Sequence, residues 1–75
     1  MTALEVVFRY RMPPGTQQMR AIDSVREIYG IRRIRFDEKE RTVRIEYDAT
    51  RLDAEVVAGL LRGAGLDLRE RVALV

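Results

Sequence analysis

The stretch RMPPGTQQM, Arg11 to Met19, carries the thioethers of Met12 and Met19, the only soft donor atoms in the body of the chain. A thioether pair can hold a soft monovalent cation, but Pro14 offers no ligating atom and the Gln17 amide is a poor one. Both methionines fall on positions that favour packing, Met12 on an alternating apolar parity and Met19 on a helical one, and are read as core side chains. The chain contains neither cysteine nor histidine. That removes disulfides, thiolate and imidazole ligands, and the commonest general base. No two carboxylates share an environment that would split their pKa values, since DEKE reads as a turn and Asp23, Glu27, Asp53 and Glu55 as solvated helix or cap positions. An enzyme is therefore not expected, and no cofactor is implied. The cationic groups are almost all guanidinium: thirteen arginines stand against one lysine, in a chain of net charge +2.

The elements that position these groups follow from periodicity. Leu4, Val6, Phe8, Tyr10 and Met12 alternate with Glu5, Val7, Arg9 and Arg11, which predicts a strand with one buried face. After Pro13-Pro14-Gly15, residues Ala21, Ile22, Val25, Ile28 and Tyr29 recur at helical spacing, with Thr16 as expected N-cap and Gly30 as the stop. Pro13 and Pro14 stiffen the junction, and Gly15 is available for a positive φ. IRRIRF and TVRIEY, joined by the charged turn DEKERT, predict a β-hairpin with Ile34, Phe36, Val43, Ile45 and Tyr47 inward. Asp53 caps a second helix carrying Val56, Val57, Leu60, Leu61 and Ala64, which Gly63 or Gly65 ends. LDLRERVALV is the last strand. Right-handed crossovers turn this βαββαβ order into a ferredoxin-like α+β fold, a four-stranded antiparallel sheet in the order 4-1-3-2 with two helices on one face.

GIRRIRFDEKERTVRIEYDATRL and DAEVVAGLLRGAGLDL resemble the second half of heavy-metal-associated (HMA) domains, the modules of copper chaperones and of metal-transporting P-type ATPases. In that family the junction after the first strand reads Met-x-Cys-x-x-Cys, and its thiolates hold the metal. Met12 matches the methionine here, while Pro14 and Gln17 stand where the resemblance places cysteines. The loop Met12, Pro14, Gly15, Gln17 thus resembles a degenerate metal site, and metal binding is not expected. Pro14-Gly15 after the first strand is also similar to ACT domains, which share the topology and bind small molecules, so an ACT-like sensor is a second reading.

The helix-free face supplies a third. Parity puts Arg9 and Arg11 of the first strand there, Arg33 and Arg35 of the second, Arg44 of the third, and Arg69 and Arg71 of the fourth, with Glu5 and Glu46 as the acidic residues. Antiparallel pairing gathers Arg9, Arg11, Arg35, Arg44, Arg69 and Arg71 near the Pro-Pro-Gly end, beside the N-terminus of the first helix, as a candidate anion or nucleic-acid surface. Against it, long arginine stems also cover a solvated sheet well, and Phe8, Tyr10, Phe36 and Tyr47 take the core parity, which leaves no platform for stacking bases.

Seventy-five residues make one domain, residues 1–75, burying roughly 60–65% of the surface its unfolded chain exposes. MTALEVVFRY has no basic n-region and no long apolar run follows, so a cytoplasmic protein without a membrane segment is expected. Val7, Ala73 and Val75 at the edge of the last strand are expected to form a small apolar patch for a homodimer or protein partner. The sequence thus reads as a non-catalytic binding or interaction module.

Overall fold

The computed structural model describes residues 2–74. Its elements run β1 (Ala3–Tyr10), α1 (Thr16–Val25), β2 (Ile31–Asp37), β3 (Thr42–Asp48), α2 (Ala54–Gly63) and β4 (Leu68–Leu74). The sheet is antiparallel throughout, in the order β2-β3-β1-β4. This is the ferredoxin-like topology that the alternating runs predict. Among the described residues, no helix is long and apolar enough to cross a membrane.

The core forms where strand parity meets helix period. Val6, Phe8 and Tyr10 of β1, Val43, Ile45 and Tyr47 of β3, and Ile31 and Ile34 of β2 bury one sheet face against Ile22 and Val25 of α1 and Val57, Ala58 and Leu61 of α2. Each fully buried aliphatic side chain contributes about 1.5–3 kcal/mol. Pairing of β1 with β3 is uninterrupted from Ala3↔Asp48 to Arg9↔Thr42, so the central strands hold strict alternation.

The edge strands do not. Between β2 and β3 the register shifts from Ile31↔Tyr47 to Arg33↔Glu46, and this bulge lets Ile31 and Ile34, three residues apart, both reach the core. β4 carries two such irregularities against β1: Val7 pairs with Ala73, Phe8 with Arg71 and Tyr10 with Leu68. Phe8 and Tyr10 are core-facing, so Arg71, opposite Phe8, lies on the helix side of the sheet. Its expected place on the helix-free face is thus corrected, because extra residues in β4 reset the parity.

Three other expectations are revised. α1 ends at Val25, not at Gly30: tight-turn bonds from Glu27 N–H to Ser24 O and from Ile28 N–H to Val25 O follow it, and Gly30, at φ +103°, turns the chain into β2. Ile28 and Tyr29 are consequently exposed, Tyr29 beneath the Arg51 guanidinium at 4.2 Å. Val56 of α2 is exposed as well, and Val57 takes the core position. Val7 does not extend an exposed apolar patch, being only 7% accessible, and Val75 lies outside the described residues. α2 begins as read, with Asp53 Oδ1 accepting from Val56 N–H at 2.8 Å, and Gly65, at φ +94°, supplies the left-handed turn after its end.

Candidate functional site

The junction between β1 and α1 is built from a strand that runs out of partners. Tyr10 N–H donates to Arg41 O at 2.9 Å and Arg11 N–H to Asp67 O at 3.0 Å, and beyond Met12 two prolines carry no donor. The chain bends at Arg11–Met12, the alternation stops, and Met12 is 63% exposed. The reading of Met12 as a core side chain is corrected accordingly. Met19 is partly buried, as a helical packing position requires, and with Pro13 and Pro14 it closes a cavity of about 120 Å³ over Tyr10, Phe36 and Glu38. Within it the rings of Tyr10 and Phe36 meet edge to face, their centroids 5.9 Å apart.

Gly15, not Thr16, is the N-cap, and its φ of −85° needs no glycine. The positive φ expected there is absent. What Gly15 provides is room: its N–H donates to Gln18 Oε1 at 3.0 Å, and a Cβ on Gly15 would stand 2.9 Å from that oxygen. The same Gln18 side chain packs at the end of α2, where a Cβ on Gly65 would approach its Cγ to 3.2 Å. Gln18 therefore ties the loop to the second helix, whereas Gln17 and Pro14 make no such link: Gln17 is exposed and Pro14 partly buried. Gln18 is the residue that sequence reasoning missed. Its signal was the third helical position after the true cap, a place where glutamine bonds back to the cap's N–H.

A second clasp comes from the hairpin. Arg41, at φ +53°, closes the β2–β3 turn, and its guanidinium donates to Arg11 O at 3.2 Å. Burial raises the pKa of the Tyr10 phenol, with help from the Glu38 and Asp37 carboxylates and partial opposition from Arg41. Among the described residues, no three acidic, cysteine or histidine side chains are grouped so as to hold a metal ion.

The helix-free face is less basic than parity implies. Arg44 donates to Glu5 Oε2 at 2.7 Å, Arg9 sits 3.1 Å from Glu70, Arg69 3.6 Å from Asp67, and Arg32 3.5 Å from Glu46. Glu70 reaches Arg9 because the β4 irregularity brings Arg69 and Glu70 together opposite it. Arg35 stands directly across from Arg44, two like charges in one row. Of the six arginines in the candidate anion surface, the structure brings Arg9, Arg35, Arg44 and Arg69 onto this face, places Arg11 in the bend beyond β1, and turns Arg71 away.

The opposite end of the sheet holds one buried carboxylate. Asp48 Oδ1 accepts from the Thr50 hydroxyl at 2.7 Å and the Thr50 N–H at 3.0 Å, and Oδ2 lies 3.7 Å from Arg51. These bonds, the hydroxyl's first, lower its pKa below the ordinary carboxylate value. Asp48 closes the turn that leads from β3 into α2, a structural duty that the strand pattern conceals.

No protein-family model matches the chain, and no curated protein sequence does. A solved structure with a similar fold is the first domain of the human copper chaperone for SOD1 in its copper(I)-loaded form. The two superpose with a TM-score of 0.70 at 18% identity, over 95% of this chain and 99% of the other. At that identity the likeness establishes a shared fold, the one expected of an HMA-like chain.

Proposed function

We propose that this chain is a non-catalytic interaction module on the HMA fold, in which side-chain bonds hold the β1–α1 loop that the family shapes around a metal. The observation that carries this reading is the double clasp on the loop. Gln18 caps Gly15 from one side and Arg41 holds Arg11 from the other, while Pro14 and Gln17 offer no thiolate at the matching positions. The structural neighbour carries copper(I); in this chain the same fold is read as serving recognition of a protein partner, in the cytoplasm. A polyanion reading keeps less support, because carboxylates compensate Arg9, Arg44 and Arg69. No observation favours the ACT-like sensor.

Competition of copper(I) and zinc against a chelator tests the reading. Wild-type protein should take up metal no better than a cysteine-free control domain. Pro14→Cys combined with Gln17→Cys puts two sulfurs at the start of α1, where the helix dipole favours thiolates, and should bind about one copper ion per protein or per shared dimer site. Tight stoichiometric binding by wild type overturns the proposal. Failure of the double variant to bind means that the loop does not follow the family's alignment.

A further inference from the structure

The irregularities of β4 have a chemical product. By turning Arg71 to the helix side they place its guanidinium beside α2, in an open groove of about 490 Å³ lined by Ala54, Glu55, Ala58, Arg62 and Arg71. Bulges commonly re-aim a side chain in this way beside functional sites. Its apolar lining is methyl groups, those of the buried Ala54 and Ala58. Arg62 and Arg71 are both exposed, and among the described residues no carboxylate comes within ion-pair distance of either. That contrasts with the helix-free face, where Arg9, Arg44 and Arg69 each have an acidic partner. Glu55 supplies negative charge at the α2 N-terminal end, seven residues from Arg62 and so about 10 Å along the helix axis.

We propose that this groove is a docking site for an extended acidic segment of a partner protein, whose carboxylates meet Arg62 and Arg71. The length fits about three residues of extended chain. Each guanidinium recognises a carboxylate by forked hydrogen bonds, and the alanine floor admits small apolar side chains. Single-stranded nucleic acid fits less well, because among the described residues no aromatic ring lines the groove for base stacking. The proposal stands whether or not the β1–α1 loop takes a metal, since the two sites share no residue.

Amide chemical shifts of the labelled protein, followed at low ionic strength, test it. The probe is a short peptide alternating Glu and Val, blocked at both ends, and the control is its Lys-Val counterpart. The Glu peptide should shift Ala54, Ala58, Arg62 and Arg71 saturably, and the Lys peptide should not. Arg62→Gln with Arg71→Gln should weaken binding about tenfold or more, a loss of ~1.4 kcal/mol, while Arg33→Gln with Arg35→Gln leaves it unchanged. Both pairs are exposed, and an unaltered spectrum away from the substitutions verifies the fold. Shifts confined to the helix-free face, equal response to both peptides, or no response overturn the proposal. So does inorganic phosphate or an oligonucleotide that binds the groove more tightly than the Glu peptide, which would make it a small-anion or nucleic-acid site.

Discussion

Replacing Gly65 by alanine should reveal the tie between α2 and the β1–α1 loop. Gly65 sits at φ +94°, where an L side chain costs about 1–2 kcal/mol. The new Cβ would also meet Gln18 Cγ at 3.2 Å, so Gln18 must shift and its bond to Gly15 N–H is lost or lengthened. An exposed hydrogen bond of this kind contributes about 0.5–1.5 kcal/mol, which brings the expected total to ~1.5–3.5 kcal/mol. For a domain of this size the stability is roughly 4–11 kcal/mol, so the variant should still fold, with Tm lowered by about 6–28 °C. Gln18→Ala alone should cost ~0.5–1.5 kcal/mol. With Gln18 already truncated, Gly65→Ala should cost only the backbone strain, and the double variant should be more stable than the summed singles predict by about 0.5–1.5 kcal/mol. Urea unfolding of the four proteins, with unchanged m-values, measures the cycle. Strict additivity would refute the claim that Gln18 links the two termini.

Two predictions concern pH. The Tyr10 pKa is raised, so its contribution is complete below the unfolded phenol value of about 10 and disappears as pH rises through the higher folded value. Tyr10→Phe should flatten the alkaline loss of stability seen in thermal melts, and an unchanged slope would contradict the assignment. The Asp48 pKa is lowered, so its contribution is present above about 3.9 and is lost as pH falls through the folded value. Thr50→Val removes the hydroxyl that does most to hold it down and should move the acid-unfolding midpoint upward. No movement would mean that the Thr50 hydroxyl is not the main cause.

Legibility in the sequence followed the range of the interactions. β1, β3 and the Asp53 cap were plain because alternation and capping are local, and β1 pairs with β3 without interruption. The β4 irregularities depend on how Leu68 to Leu74 meets β1, and no glycine or proline marks them, so parity counted along that strand sent Arg71 to the wrong face. In β2 a signal was available: Ile31 and Ile34 are both apolar and three apart, a spacing that a regular strand does not bury on one side. The end of α1 was hidden because Ile28 and Tyr29 continue the helical period, while what ends it is a turn whose Arg26 guanidinium bonds to Ile34 O at 2.8 Å. Met12 was misplaced since alternation cannot report where a strand loses its neighbours. The candidate loop was recognisable as a location, but its clasps run through Gln18 and Arg41, which need the folded chain to find their targets.

The hairpin tip, residues 38–41, has the outward signs of a permissive insertion point, being short, charged and exposed, with Glu38 also at the cavity rim. Its last residue nevertheless holds β1 twice, through Arg41 O to Tyr10 N–H and through its guanidinium to Arg11 O. An epitope tag or a chain break between Lys39 and Glu40 would therefore loosen the β1–α1 loop some thirty residues earlier in the chain. The same linkage makes that position a suitable place for a reporter: a fluorescent module inserted there would be mechanically coupled to whatever engages Met12 and the prolines.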